Sequence, residues 1–261
     1  MSIKKFFIYT VVILLCFLII YFFLMQKKNL SLNDSSTVNN SEIKETNINS
    51  ENKRWTNEIL NGGYIIYFRH SFRKNGENPE GDFYNVWSYD ALELHNLMKK
   101  NLMAEETFLA EATCLTSDGK VQAKAIGEYF KILDINFNRV IASPSCRARQ
   151  HAIAAFNRVD KYYNELVHFG PWKEDQNIFQ KKIRKILIDE KPQDKNNTII
   201  VAHNGVLDKH IFDEYPQNTT FYVKQGGLYV IKVEENKIIL KHKFNELHEF
   251  TQNLLYRPKN K

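Results

Sequence analysis

Residues 64–71 read YIIYFRHS: five apolar, β-favouring side chains and then, without a break, Arg69, His70 and Ser71. Two later stretches are built the same way. RVIASPSCR (139–147) passes from Arg139–Ala142 into Ser143, Pro144, Ser145, Cys146 and Arg147, and TIIVAHNG (198–205) passes from Thr198–Ala202 into His203, Asn204 and Gly205. Each apolar run is short and rich in residues that fit a pleated surface, so each predicts a buried strand. Between them the period changes. Val121, Ala125, Ile126, Phe130 and Leu133 stand at helical spacing over residues 117–133, with Thr116 as N-cap. Further helices are expected from Ser145 to Asn157, over 176–190 (Ile178, Ile183, Ile186, Leu187) and, briefly, over 206–213.

Short apolar strands separated by helices predict an α/β three-layer sandwich with a mostly parallel sheet. Thr220–Val223, Leu228–Val233 and Lys237–Lys243 supply later strands, with Gly226-Gly227 and Glu235-Asn236 as turns. The last two strands read as an antiparallel edge hairpin. In a parallel sheet, ligands bind beyond the carboxyl ends of the strands. Two histidines and two arginines therefore converge on one sheet edge from three segments. Their chemistry suits a phosphoryl group. Guanidiniums hold its oxygens with bidentate, charge-assisted bonds. A neutral imidazole can attack phosphorus and leave again. A second imidazole and the helix starting at Ser145 add positive potential.

Four motifs, YFRHS (67–71), LTSDGKVQAKAIG (115–127), ASPSCRARQHA (142–152) and VAHNGV (201–206), resemble in order and spacing those of the histidine phosphatase superfamily, which includes phosphoglycerate mutases and histidine acid phosphatases. The resemblance spans roughly residues 60 to 210. It implies that His70 is the nucleophile, that Arg69, Arg147 and His203 complete the phosphate pocket, and that neither metal nor other cofactor is needed. Arg73, three residues beyond His70, matches a further phosphate-binding arginine of the acid-phosphatase branch. Ser71 and Asn204 flank the two histidines and are expected beside the substrate. Ala123 and Gly127 read as small residues that let their helix lie close on the sheet, Arg149 as a solvated charge, and His151, where the family usually has Thr, as a surface or packing residue.

The chain departs from the family at the general acid. Asn204 follows His203 where acid phosphatases place an Asp. The mutase-like branch uses a Glu near a Phe-Gly-x-Trp-like stretch, and YYNELVHFGPWKED (162–175) offers Glu165, one residue early. Glu174, Asp175 and Asp82 are further candidates. Residues 74–112 form a long insertion with Phe83, Tyr84, Trp87 and Tyr89 and a helix expected from Tyr89 to Leu102; beside a site such a segment is expected to select the leaving group. Cys114 and Cys146 flank the same sheet edge, and a disulfide and two free thiols are both open readings; neither cysteine has zinc-like spacing.

Outside this core the sequence predicts a membrane anchor. FFIYTVVILLCFLIIYFFLM (6–25) is uncharged and apolar all round, and as a helix it spans roughly 30 Å. Gln26, Lys27 and Lys28 follow it with no cleavage signal, which gives an anchor over 1–28, a polar tether over 29–52 and a catalytic domain over 53–261. Lys4 and Lys5 on one side nearly balance Lys27 and Lys28 on the other. The short basic tail is expected inside, with the domain outside a cell membrane crossed once. The net charge of +6 includes those four lysines, and no dense basic block points to nucleic acid. The function expected is a membrane-anchored phosphomonoesterase acting on a phosphorylated small molecule. A silent phospholigand-binding module and a phosphomutase are the alternatives.

Overall fold

The computed structural model describes residues 50–73, 114–167 and 175–252. The anchor over 6–25, nearly all of the tether, the insertion over 74–112 with its expected helix and Asp82, and Glu174 lie outside the described residues. Among the described residues no helix is long and apolar enough to cross a membrane.

The elements after the helical residues 52–60 (α1) are β1 (Ile65–Arg69), α2 (Ser117–Leu133), β2 (Phe137–Ala142), α3 (Cys146–Phe156), β3 (Lys161–Tyr162), α4 (Gln176–Asp189), β4 (Asn197–Ala202), β5 (Leu228–Glu234), β6 (Lys237–Phe244) and α5 (Leu247–Thr251). They form one six-stranded sheet in the order β3-β2-β4-β1-β5-β6. The first four strands in that order run parallel, with Ile65 beside Thr198 and Ile141 beside Ile200. β5 and β6 run antiparallel and close one side as the expected hairpin. The sheet is thus mixed: β5 alone runs against the others, and β6 regains the direction of β1.

Every residue of β1 and β4 is buried, because both faces of these central strands are covered. Strand alternation divides them into two cores. Ile66, Phe68, Val140 and Val201 face α2 and α3 through Ile126, Phe130, Ala148 and Ala152. Ile65, Tyr67, Ile141 and Ile200 face α4 through Phe179, Ile183 and Leu187. That is the three-layer arrangement expected. Thr116 caps α2 by accepting from the Gly119 N–H at 3.0 Å, and Ser145 caps α3.

Gly127 serves a different neighbour from the one expected. A side-chain carbon there would stand 2.0 Å from the carbonyl oxygen of Ala155, so its smallness lets α2 lie against α3. A carbon on Gly119 would meet the Phe72 carbonyl oxygen at 2.0 Å, which seats the start of α2 on the loop after His70.

Two expected elements are absent. Residues 206–213 form turns instead of a helix. The Asp208 carboxylate accepts from the His210 N–H at 2.7 Å and from Gln180 at 3.0 Å, a local bond that competes with helical pairing. Val206, Leu207, Ile211 and Phe212 are nonetheless buried, which explains the apolar pattern. Thr220–Val223 joins no strand ladder, because side chains bind the backbone of Val223 instead. The two-residue β3 was too short to register as a strand.

Candidate active site

The four parallel strands deliver their carboxyl ends to one edge, and His70 is held there by the sheet itself. Its N–H donates to the Ala202 carbonyl at 3.0 Å, and its carbonyl accepts from the Gly226 N–H at 3.1 Å. The imidazole Nδ1 lies 2.8 Å from the Ser71 carbonyl oxygen. A carbonyl can only accept, so the proton is on Nδ1 and the lone pair on Nε2. Burial, and then the charges of Arg147, His203 and Arg69, hold this imidazole well below the usual histidine range. His70 is therefore a neutral imidazole whose lone pair is set on Nε2 by the backbone.

His203 meets it edge-on, with ring centroids 5.3 Å apart and planes at 60°. The Nε2 of His203 lies 3.1 Å from the Ser143 hydroxyl and 3.0 Å from that of Ser145. The Tyr67 phenol donates to the His203 carbonyl at 2.9 Å and accepts from its N–H at 3.3 Å. Burial raises the Tyr67 pKa well above the ordinary value, so this clasp stays protonated. It ties the ends of β1 and β4 together behind the two imidazoles.

Arg147, one residue into α3, is almost wholly buried, as are Arg69, His70 and His203. Arg69 donates through one nitrogen to the Val223 carbonyl at 2.8 Å and to the Tyr222 hydroxyl at 3.1 Å, with its guanidinium 5.1 Å from the centre of the Tyr222 ring. Burying such groups is costly without compensating charge. Two guanidiniums and two imidazoles at one sheet edge make a place suited to an anion. Cys114 and Cys146 are joined by a disulfide whose Cα atoms are 5.0 Å apart. The bond ties the chain before α2 to the first residue of α3, between Ser145 and Arg147.

Ser71 is buried, with its N–H 3.0 Å and its hydroxyl 3.1 Å from Nδ1 of His151. Asn204 has both ends of its amide engaged with the Val223 backbone. Arg73 is half-buried, forms a β-bridge with Leu115, and donates its backbone N–H to Gln225. Glu165 is half-buried in the short 3-10 helix Asn164–Leu166 just beyond β3, at the edge that carries the imidazoles. Asp175 instead caps α4 by accepting from the Asn177 N–H at 2.7 Å.

Arg149 is buried, where a solvated charge is expected: its Nε donates to the Pro144 carbonyl at 3.1 Å, and burial lowers its pKa. Of the surface and packing readings of His151 the second holds, since the ring is fully buried against those of Phe68 and Phe156. The sequence also passed over Tyr67, Ser143 and Tyr222. Tyr67 and Ser143 stood inside quoted motifs, but an apolar run gives no sign that a phenol will turn back on the chain. Tyr222 was hidden in a stretch read as strand. Among the described residues no cluster of three or more His, Cys, Asp or Glu side chains is placed to hold a metal ion.

No protein-family model matches the chain, and no curated protein matches it. Solved structures do. The protein histidine phosphatase SixA complexed with tungstate shares 12% identity over 69% of this chain and 96% of its own, with a TM-score of 0.44. Phosphoserine phosphatase from Entamoeba histolytica, in complex with 3-phosphoglyceric acid, shares 14% over 71% and 98%, with a TM-score of 0.44. The alpha-ribazole phosphatase from Shigella flexneri shares 16% over 68% and 94%, with a TM-score of 0.42. All three are members of the histidine phosphatase superfamily, the family that the four motifs of this sequence resemble.

Proposed function

We propose that the domain is a phosphoric monoester hydrolase that works through a phosphohistidine. The observation that carries this reading is the pairing of His70 with His203, their rings 5.3 Å apart, beside two buried guanidiniums whose charge acts on His70. Nε2 of His70 attacks phosphorus, and the bond from phosphorus to the ester oxygen breaks. Glu165 passes a proton to the departing alcohol. Arg69, Arg147 and His203 gather the charge on the equatorial oxygens, and Arg73 contacts the outer part of the ester. Ser71 and Asn204 shape the pocket from behind the two imidazoles. Water, relieved of a proton by Glu165, then attacks phosphorus and releases inorganic phosphate and free His70.

The substrate is a phosphorylated small molecule, and the domain sits outside the cell membrane on a tether from an anchor over residues 6–25. Two features support that location: the twenty uncharged residues of the anchor, and the disulfide between Cys114 and Cys146, a bond that persists in oxidising compartments. Protease shaving of spheroplasts should release the domain; its survival while the outer surface is digested would place it inside.

The decisive experiment is steady-state hydrolysis of p-nitrophenyl phosphate by the full chain. Sustained phosphate release, lost in His70→Ala together with labelling by a phosphoryl donor, is the expected result. Turnover by His70→Ala near the native rate would remove the nucleophile. Tight phosphate binding without release would make the site a recognition module instead.

A further inference from the structure

His151 and His70 are joined through one residue. His151 lies in α3 four positions after Arg147, so both side chains leave the helix on one face. Its ring is buried 5.4 Å from Phe68 and 6.4 Å from Phe156, surroundings that would equally suit an apolar residue. Yet Nδ1 meets both donors of Ser71, the backbone N–H at 3.0 Å and the hydroxyl at 3.1 Å. An amide N–H can only donate, so Nδ1 of His151 bears the lone pair and its proton is on Nε2. Burial holds the pKa of this ring down at about 3, and it remains an acceptor at any working pH. On the far side of the same residue, the Ser71 carbonyl accepts from Nδ1 of His70 at 2.8 Å.

We propose that His151 is a positioning residue for the nucleophile: by gripping the N–H and hydroxyl of Ser71 it fixes the carbonyl that keeps the proton of His70 on Nδ1 and aims Nε2 into the pocket. The inference rests on His70 acting as the nucleophile. Its physical basis is the orientation demanded at a reacting centre, where a misplacement of about 1 Å costs on the order of a hundredfold in rate. An apolar residue at 151 would fill the space but leave the buried Ser71 N–H without an acceptor. Asparagine would lose ring packing yet still present an oxygen near the position of Nδ1.

The test compares the full chain with its His151→Leu and His151→Asn variants, using p-nitrophenyl phosphate turnover and 15N NMR of the His70 ring. His151→Leu should lower kcat roughly 10- to 100-fold with little change in KM, and its His70 signal should become a mixture of tautomers. His151→Asn should keep the single Nδ1–H tautomer and most of the rate. A folded His151→Leu with native kcat and an undisturbed Nδ1–H signal would overturn the proposal. So would a native protein whose His70 carries its proton on Nε2, a result that needs no variant to fold. If the native chain releases no phosphate but the tautomer responds to position 151 as described, the positional link stands and the phosphatase reading fails.

Discussion

Asn204 is laced to Val223 at both ends of its amide: Nδ2 donates to the Val223 carbonyl at 2.8 Å, and Oδ1 accepts from the Val223 N–H at 3.3 Å. The same carbonyl accepts from Arg69 at 2.8 Å. One side chain thus holds the returning loop against the last residue of β1, and it must be an amide, because only an amide both donates and accepts in this register. Asn204→Asp would place a carboxylate against the Val223 carbonyl and lose the donor. The variant should lose about 1–3 kcal/mol of stability, read by urea denaturation, with no gain in turnover. A rise in kcat on alkyl phosphates would show that the position can supply the proton directly.

That role explains why sequence reading went only part of the way here. His70, Arg147 and His203 were legible because each follows a buried strand, and parallel strands bring their ends to one edge whatever the details of packing. The partners of Asn204 were not, since Val223 is nineteen positions away across a loop with no period of its own. The same limit applies to residues 206–213, where burial of Val206, Leu207, Ile211 and Phe212 produces a helical pattern while Asp208 closes turns in place of the helix. Arg149 and His151 show the converse. Arg149 is buried with its Nε on the Pro144 carbonyl, and His151 against the ring of Phe68 in β1, neighbours that helical spacing alone does not name.

Acid should destabilise the fold from the ordinary histidine range downward. His151 titrates at about 3 and His242 at about 4 in the folded chain, both depressed by burial, and His70 is depressed in the same direction. Protons bind these rings more readily in the unfolded chain, whose histidines titrate near 6.5. Stability is therefore full above that value and is lost as pH falls from it toward the folded values, by about 1.4 kcal/mol per pH unit for each such ring. Denaturation midpoints measured between pH 7.5 and 5 check this, and His151→Asn should reduce the slope by one proton. For the same reason the acid limb of kcat/KM should lie below the ordinary histidine value, because His70 stays neutral there; a limb above it would contradict the burial of His70.

Reduction of the Cys114–Cys146 bond should weaken both the fold and the site. The bridge closes a loop with a sequence separation of 32, and such a cross-link contributes about 2–4 kcal/mol by restricting the unfolded chain. It also anchors the first residue of α3, whose neighbours are Ser145, 3.0 Å from the His203 ring, and the buried Arg147. Dithiothreitol, or the Cys114→Ser/Cys146→Ser pair, should lower Tm and raise KM for p-nitrophenyl phosphate. Unchanged KM with lowered Tm would confine the bond to stability.

Glu165 is the side chain on which the proposed leaving-group step depends, and the quality of the leaving group tests it. The residue stands half-buried in the middle of the short 3-10 helix beyond β3, within the edge reached by the other strand ends but on a different element from His70. A proton donor matters most when the departing alkoxide is strongly basic and least when it is a stabilised phenolate. Glu165→Gln should therefore slow the first step, transfer of the phosphoryl group to His70, about 10²- to 10⁴-fold for alkyl phosphates, while the first-turnover burst of p-nitrophenolate from p-nitrophenyl phosphate keeps nearly its native rate. Equal loss on both substrates would mean that Glu165 supports the pocket's shape and that another group delivers the proton. Asp175 is a poor alternative in that event, since its carboxylate is spent on the first turn of α4.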